Sequence, residues 1–144
     1  MNREQIESAI PHRPPMLLVD EVIERDGERI LARKTFRAEE YFFQGHYPDQ
    51  PIVPGVILCE ATMQAGAILL AQHMPANGSG VPVATRLNNV KFRRVTRPGE
   101  TIEIEVNLVE RLADAFFMQA KVTCEGKVAV RFEFACTVAD SDTK

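Results

Sequence analysis

The sequence is poor in cysteine. Its 144 residues include only three, Cys59, Cys124 and Cys136, and no two of them are spaced as Cys-x-x-Cys. An odd number without this spacing argues against a disulfide framework and against a structural zinc site, so we expect no bound metal. We expect the three thiols to be small buried hydrophobic groups.

Positive charge is not in excess either. The chain has 17 Lys and Arg against 20 Asp and Glu, and its formal net charge is -3. Its isoelectric point is about 5.6. A global basic field that could hold a nucleic-acid backbone is therefore absent, and we expect no nucleic-acid partner.

The beginning of the chain lacks the continuous apolar run of a signal peptide. Residues 1–10 contain Arg3, Glu4 and Glu7 instead, so we expect a cytoplasmic protein. Internal repeats, low-complexity tracts and long linkers are also absent. We therefore predict one domain over residues 1–144, of ordinary size for a single domain, with a frayed polar tail at 139–144.

Alternating apolar and polar residues predict an antiparallel sheet of about six strands with one solvated face. The pattern is clearest where Ile102, Ile104 and Val106 alternate with polar residues. The last three strands are separated by short turns and should form a meander. The predicted strands cover residues 16–24, 29–37, 81–95, 101–108, 116–124 and 128–136.

Two helices are predicted. Asn2 and Gln5 resemble a capping box, which predicts a short helix that ends before Pro11. Residues 56–74 are apolar or small at nearly every position, which predicts a long helix that approaches membrane-spanning length. The absence of a basic flank and the polar residues inside this run favour a buried core helix over a transmembrane one.

A single buried helix and a one-sided sheet complete each other's burial. We therefore predict an α+β fold of the hot-dog type, in which a long central helix is wrapped by a curved antiparallel sheet.

A stiff loop precedes the long helix. Residues 44–56 contain three prolines and two glycines, and such a loop can hold a side chain at fixed geometry. The side chain presented in this way is His46, a candidate general base. A loop histidine can also be structural or simply solvated, and the loop alone leaves these interpretations open.

Glu60 lies inside an otherwise apolar helix, where an unpaired charge would cost several kcal/mol. It is either a structural carboxyl, bonded to the backbone or to Gln64 one turn later, or an acid that donates a proton. A histidine base and a carboxylic acid together could remove one proton and deliver another, as the elimination of water requires. Gly55 is either a simple entry turn or the source of backbone N–H groups for a developing oxyanion.

The segment GHYPDQPIVPGVILCEATMQA, residues 45–65, resembles the signature of the FabZ-type 3-hydroxyacyl-ACP dehydratases of fatty-acid synthesis. It joins a Gly-His pair, a Pro-x-x-Pro-Gly run, a Glu 14 residues after the His and a Gln four residues later. Residues 10–20 and 90–100 resemble the same family, so the resemblance extends over most of the chain.

The resemblance implies dehydration of a (3R)-3-hydroxyacyl thioester on acyl carrier protein to the trans-2-enoyl thioester, without a metal or redox cofactor. By matching position, His46 takes the α proton and Glu60 protonates the leaving hydroxyl. The backbone N–H of Gly55 binds the thioester carbonyl, and Gln64 belongs to the same substrate-binding group. The related FabA-type dehydratase-isomerases carry Asp at the position of Glu60, so isomerase activity is less expected.

The family also implies an assembly in which the active site is shared. The His of one subunit meets the Glu of the other, and dimers commonly form trimers of dimers. We therefore expect a homodimer or a hexamer. In this family the partner is acyl carrier protein, which is acidic. Five positive charges could bind its acidic helix and phosphate or could form a plain solvated strand face: Arg86, Lys91, Arg93, Arg94 and Arg97.

Two other functions stay open. One is a hot-dog acyl thioesterase, which would direct a water against the same thioester, and the other is a non-catalytic module that binds acyl carriers. Residues 83–87 lack the aromatic that often gates the acyl tunnel, so chain length is not implied. Aromatic candidates for a tunnel lining or for plain core are Phe42, Phe43, Tyr47, Phe92 and Phe116. We expect His12 and His73 to be structural or on the surface.

Overall fold

The computed structural model describes residues 1–74 and 80–140. The helices are α1, Arg3–Ala9, and α2, Gly55–Leu70; short 3-10 turns cover Tyr41–Phe43 and Ala71–His73. The strands are β1, Glu21–Arg25; β2, Arg29–Thr35; β3, Gly80–Phe92; β4, Thr101–Leu112; β5, Ala115–Cys124; and β6, Lys127–Asp140.

All six described strands form one antiparallel sheet in the order β1-β2-β4-β5-β6-β3. The predicted meander is confirmed as β4-β5-β6. The hairpin between β5 and β6 turns through Glu125 and Gly126, whose φ angles of 52° and 78° are both left-handed, as the tightest hairpin turns require.

The core lies between this sheet and α2. Of the 16 residues of α2, 11 are buried, and Ile104 and Phe116 of the sheet are fully buried. The run Gly55–His73 is long and apolar enough to cross a membrane, but 61% of it is buried inside the chain. The predicted central helix and wrapping sheet are confirmed, because an all-round apolar helix needs cover on several sides.

The predicted strand over residues 16–24 is wrong in its first part, since β1 begins only at Glu21. The Leu18 N–H donates to Oε1 of Gln64 at 2.8 Å, and the Met16 carbonyl accepts from Nε2 of Gln64 at 2.8 Å. A helix side chain therefore takes the place of a neighbouring strand, and this segment lies across α2 instead of in the sheet.

Other boundaries also differ. The long helix ends at Leu70, before the predicted Met74, and the third strand ends at Phe92. The predicted frayed tail is wrong for its first two residues, because Val81 pairs with Ala139 and Gly80 with Asp140. Residues 141–144 of that tail lie outside the described residues.

Two further predictions are confirmed, the capping box of α1 and the burial of the cysteines. The capping box of α1 is complete, with reciprocal 2.9 Å bonds between Asn2 and Gln5. All three cysteines are free and buried, as expected. Burial raises the pKa of the Cys136 thiol to about 11, so at neutral pH it is a protonated core side chain.

Gly66 of α2 faces the sheet at a point with no room for a side chain. An added Cβ would lie 2.7 Å from Cζ of Phe134, a residue that is only 2% exposed and so cannot swing outward. Gly→Ala in an ordinary helix interior gains about 1 kcal/mol. We expect Gly66→Ala instead to lower the free energy of unfolding by about 1–3 kcal/mol through overpacking.

The measurement is chemical denaturation at fixed protein concentration, run as a double-mutant cycle with Phe134→Leu. Leucine lacks the ring atom that the new Cβ meets, so the cost of Gly66→Ala should shrink in that background. If Gly66→Ala instead raised the free energy of unfolding in the wild-type background, the surrounding core would have to rearrange to accommodate the added methyl group.

Candidate active site

The loop before α2 holds His46 between two residues with left-handed backbone. Gly45 has φ 79° and Tyr47 has φ 54°, which glycine tolerates freely and tyrosine does not. Nδ1 of His46 lies 3.1 Å from the Ile52 carbonyl oxygen. Because a carbonyl only accepts, Nδ1 carries the hydrogen, and the lone pair is on Nε2. His46 is therefore set up as a base at Nε2.

The end of the loop is anchored to the segment after β3. The Val53 N–H donates to the Thr96 carbonyl at 2.7 Å, and both residues are buried. Pro54 then caps α2 without a side-chain hydrogen bond. The first N–H groups of α2 have no acceptors within the helix and lie at the positive end of its dipole.

The ring of Phe92, which is half-exposed, packs over the start of α2 beside Gly55. A Cβ on Gly55 would lie 2.6 Å from Cε1 of Phe92. A cavity of about 480 Å³ opens at this point. Its walls are mainly apolar, with two arginines, and they are formed by Ile52, Val53, Gly55, Val56, Leu58, Phe92, Arg93, Arg94, Val95 and Thr96. The first residues of α2, with their N–H groups, therefore lie beside a mainly apolar surface.

Glu60 lies on the side of α2 that faces the N-terminal segment. Its Oε2 accepts from Nε2 of Gln64 at 2.9 Å and lies 3.7 Å from Nε2 of His12. Its side chain is 32% exposed, so a ligand can reach the carboxyl. Both interpretations of Glu60 therefore retain support: it is bonded to Gln64, and it is accessible for chemistry.

Gln64 is only 1% exposed, and its amide is fully used within the chain. Its two N–H groups donate to Glu60 and to the Met16 carbonyl, and its oxygen accepts from the Leu18 N–H. A glutamine amide has only two hydrogens. Gln64 therefore holds Glu60 and the N-terminal segment together, and the expected contact with substrate stays a prediction.

The sequence analysis expected His12 to be structural or on the surface and did not place it beside Glu60, where the structure has it. The signal was present, since Pro11, Pro14 and Pro15 make the segment around His12 as stiff as the loop around His46. His73, by contrast, lies 2.8 Å from the Gly27 carbonyl through Nε2, a contact between the 3-10 turn that follows α2 and the β1-β2 turn.

Within the described parts of one chain, no hydrogen bond or ion pair joins His46 to Glu60. His46 contacts Ile52 and Tyr47, whereas Glu60 contacts Gln64 and His12. Over residues 1–74 and 80–140, no three side chains of His, Cys, Asp or Glu are grouped as a metal site would require.

The five basic residues expected to bind a partner do not share one environment. Arg86, Lys91, Arg93 and Arg97 are exposed, whereas Arg94 is paired with Glu100 at 3.6 Å and Glu125 at 3.5 Å. Burial opposes ionisation of Glu100, but the Arg97 N–H and the charge of Arg94 hold its pKa below the ordinary value. Arg94 therefore has a structural role in joining two loops.

The five aromatic candidates also divide. Phe42, Phe43 and Phe116 are buried core, whereas Tyr47 is 63% and Phe92 53% exposed. Of the five, only Phe92 lines the cavity at Gly55.

Solved structures share this architecture. The dehydratase heterocomplex ApeI:P from Xenorhabdus doucetiae matches with a TM-score of 0.77 and 17% identity, covering 94% of this chain and 91% of that one. A hypothetical thioesterase with coenzyme A from Streptococcus pneumoniae matches with a TM-score of 0.64 and 12% identity, covering 85% and 90%. At these identities the likeness shows the fold alone, and the protein is a hot-dog fold protein.

Sequence comparison is more specific. The model of the FabA-like domain matches residues 10–133. A 3-hydroxyacyl-[acyl-carrier-protein] dehydratase FabZ from Oenococcus oeni is 42% identical over 130 residues, covering 90% of this chain and 93% of that protein. The FabZ of Solibacter usitatus is 34% identical over 140 residues, covering 97% and 86%. The chain belongs to this FabA-like family of dehydratases, which confirms the predicted resemblance.

The clamp formed by Gln64 should matter for stability. Gln64→Leu leaves the buried Leu18 N–H and the Met16 carbonyl without partners, and we expect a loss of about 2–4 kcal/mol in the free energy of unfolding. Gln72→Leu is the matched control. Gln72 also donates to backbone carbonyls, those of Asp26 and Leu69, but it is exposed.

Denaturant unfolding of both variants checks this expectation, with less than about 1 kcal/mol lost in the control. Equal losses in the free energy of unfolding for Gln64→Leu and Gln72→Leu would mean that burial of the Gln64 amide adds nothing to stability.

Proposed function

We propose that the protein removes water from (3R)-3-hydroxyacyl-ACP to form trans-2-enoyl-ACP in cytoplasmic fatty-acid biosynthesis, without a metal or redox cofactor. The observation that carries this proposal is identity of 34–42% to FabZ dehydratases over most of the chain. The geometry of His46, Gly55 and Glu60 supports it, since the three supply a base, an oxyanion donor and an accessible acid.

The first half of the reaction is removal of the α proton. Nε2 of His46 takes this proton, because Nδ1 is committed to the Ile52 carbonyl. Negative charge then develops on the thioester oxygen. The N–H of Gly55 at the start of α2 binds that oxygen, and the dipole of the helix favours the charge.

The second half is loss of the hydroxyl group. Glu60 donates its proton to the leaving oxygen, the C–O bond breaks, and water departs as the enoyl double bond forms. The enzyme is left with a protonated His46 and an ionised Glu60, so one proton has been gained and one lost. The apolar cavity beside Gly55 and Phe92 holds the thioester end of the acyl chain.

The proposed site is completed by a second subunit. His46 and Glu60 have separate partners within the described parts of one chain, although the reaction needs both on one substrate. β3 is an edge strand whose Val83 and Leu87 are 44% and 43% exposed. An exposed apolar edge strand is a surface for pairing with another chain, so we propose a homodimer as the active unit, whether or not dimers assemble further.

Docking of acyl carrier protein is proposed at Arg86, Lys91, Arg93 and Arg97. These four are exposed, and Arg93 lines the cavity at Gly55, where the phosphate of the carrier's prosthetic arm would arrive. Arg94 supports the shape of this surface through its ion pairs with Glu100 and Glu125. The cations act locally, because the whole protein is net negative.

The reaction is tested in reverse with crotonyl thioesters on acyl carrier protein and on a small thiol carrier. We expect loss of the enoyl absorbance without release of free thiol. Glu60→Gln should slow this hydration at least about 100-fold, because in this direction the Glu60 carboxylate takes the proton from the attacking water and an amide cannot. The matched control is Glu39→Gln, which changes an exposed acid in no ion pair with any described residue and should stay near wild type.

Release of free thiol in this assay would show that the protein hydrolyses the thioester, and it would then be a thioesterase and not a dehydratase. Binding of acyl carrier protein with neither signal, across several chain lengths, would favour a non-catalytic module.

A shared site predicts complementation between two inactive subunits. His46→Ala and Glu60→Gln chains, unfolded and refolded together, form mixed dimers in which one of the two sites keeps both residues. With random pairing, about a quarter of wild-type activity should return. Each variant refolded alone is the control, and no recovery in mixed dimers of confirmed mass would place both residues of a site in one chain.

Docking is tested by charge reversal. Arg93→Glu together with Arg97→Glu should raise the KM for the carrier-bound substrate about tenfold or more. The KM for the small-thiol substrate should change much less, because that substrate carries neither the acidic helix of the carrier nor the phosphate of its prosthetic arm. Arg37→Glu is an exposed control outside the patch. An unchanged KM for the carrier-bound substrate would reject this surface.

A further inference from the structure

His12 makes a polar contact with Glu60, and no step above uses it. Its Nε2 lies 3.7 Å from Oε2 of Glu60, and the two side chains are 30% and 32% exposed. The same oxygen accepts from Nε2 of Gln64 at 2.9 Å. Both polar contacts that the described residues make with the carboxyl therefore reach one oxygen, Oε2, and leave Oε1 open.

The backbone around His12 is held in place by Arg13. The Arg13 guanidinium donates to the carbonyls of Ile10, His12 and Glu7 at 2.9, 2.7 and 2.9 Å. Gln64 fixes the same segment a few residues later through Met16 and Leu18. His12 is thus presented to Glu60 by a clamped segment, and its position does not depend on a free loop.

The environment of the ring decides which nitrogen carries the hydrogen. Nδ1 is buried and has no hydrogen-bond partner among the described residues. Nε2 faces Oε2, which already acts as an acceptor for Gln64. A bare Nε2 would place a lone pair against an accepting oxygen, so the hydrogen belongs on Nε2. At 3.7 Å the contact is longer than a hydrogen bond, and such contacts often tighten when substrate binds.

We propose that His12 is a positioning residue for the acid: with Gln64 it keeps Oε2 of Glu60 as the accepting oxygen, so that the transferable proton lies on Oε1. This inference rests on the proposed role of Glu60. When Oε1 gives its proton to the leaving hydroxyl and the C–O bond breaks, the negative charge left on the carboxylate is stabilised at Oε2 by two donors. His12 itself neither gains nor loses a proton in the step.

Three substitutions separate this role from plain packing. His12→Gln places an amide nitrogen near the position of Nε2, and His12→Asn places one near the position of Nδ1, away from Glu60. His12→Leu keeps bulk and removes every donor. We expect kcat to fall roughly 10- to 100-fold in His12→Leu and His12→Asn, with KM within about twofold, because only the proton transfer by Glu60 is weakened, in either direction of the reaction. His12→Gln should recover most of kcat.

The assay is the hydration of crotonyl thioester described above, with thermal unfolding and molecular mass recorded for every variant. Equal loss in all three variants, or a change in KM alone, would overturn the inference in favour of packing. If His12→Leu does not fold, the comparison of His12→Gln with His12→Asn decides between the same two outcomes.

Glu60→Gln distinguishes failure of this inference from failure of the proposed function. If Glu60→Gln is inactive and His12→Leu is normal, His12 does not position the acid, and the proposed function stands. If Glu60→Gln is active, the proposed acid itself is wrong. A double variant, His12→Leu with Glu60→Gln, should be no slower than Glu60→Gln alone, because positioning has no effect once the acid is removed.

Discussion

The structure depends on covering α2, a helix that has almost no face suited to water. One side packs on the six-stranded sheet, and another is covered by the segment from Met16 to Leu18, which Gln64 holds in place. Cover is incomplete at the start of α2, where Val56 is 73% exposed. The open end of the core helix is also the end that carries Gly55 and the cavity, so incomplete burial and the candidate active site coincide.

The same constraint explains how polar groups survive on α2. The Thr62 hydroxyl donates to the Leu58 carbonyl at 2.7 Å, and both the nitrogen and the oxygen of the Gln64 amide are hydrogen-bonded within the chain. Of the three polar residues Glu60, Thr62 and Gln64, Glu60 is therefore the one with an oxygen, Oε1, that is available to a ligand. The buried amide that holds the N-terminal segment thus also donates to the carboxyl that is proposed to act in catalysis.

Much of the fold follows from local patterns. Period-two alternation around Ile102–Val106 predicts its strand because one face of that strand meets a core and the other meets water. The start of β1 could not be predicted in this way. Leu17, Leu18 and Val19 are as apolar as a strand, and only the distant side chain of Gln64 shows that their backbone bonds to α2 instead.

The candidate site was predictable to a similar degree. His46 and Glu60 stand out because each occupies an unusual place, a stiff loop and an apolar helix. The contact of His12 with Glu60 spans 48 positions of sequence, and no local pattern reports it. That His46 and Glu60 have different partners within the described parts of one chain is likewise not visible in the sequence.

The left-handed backbone at Tyr47 has a consequence for how stable this protein can become. A non-glycine residue in that conformation costs about 1–2 kcal/mol, and Tyr47 also exposes most of its ring. Its ring stands nearly perpendicular to the imidazole of His46, with ring centres 4.8 Å apart. The prolines of the loop offset this cost by restricting the unfolded chain. Selection for thermostability alone would therefore favour glycine or asparagine at this position and would remove the aromatic support of the base.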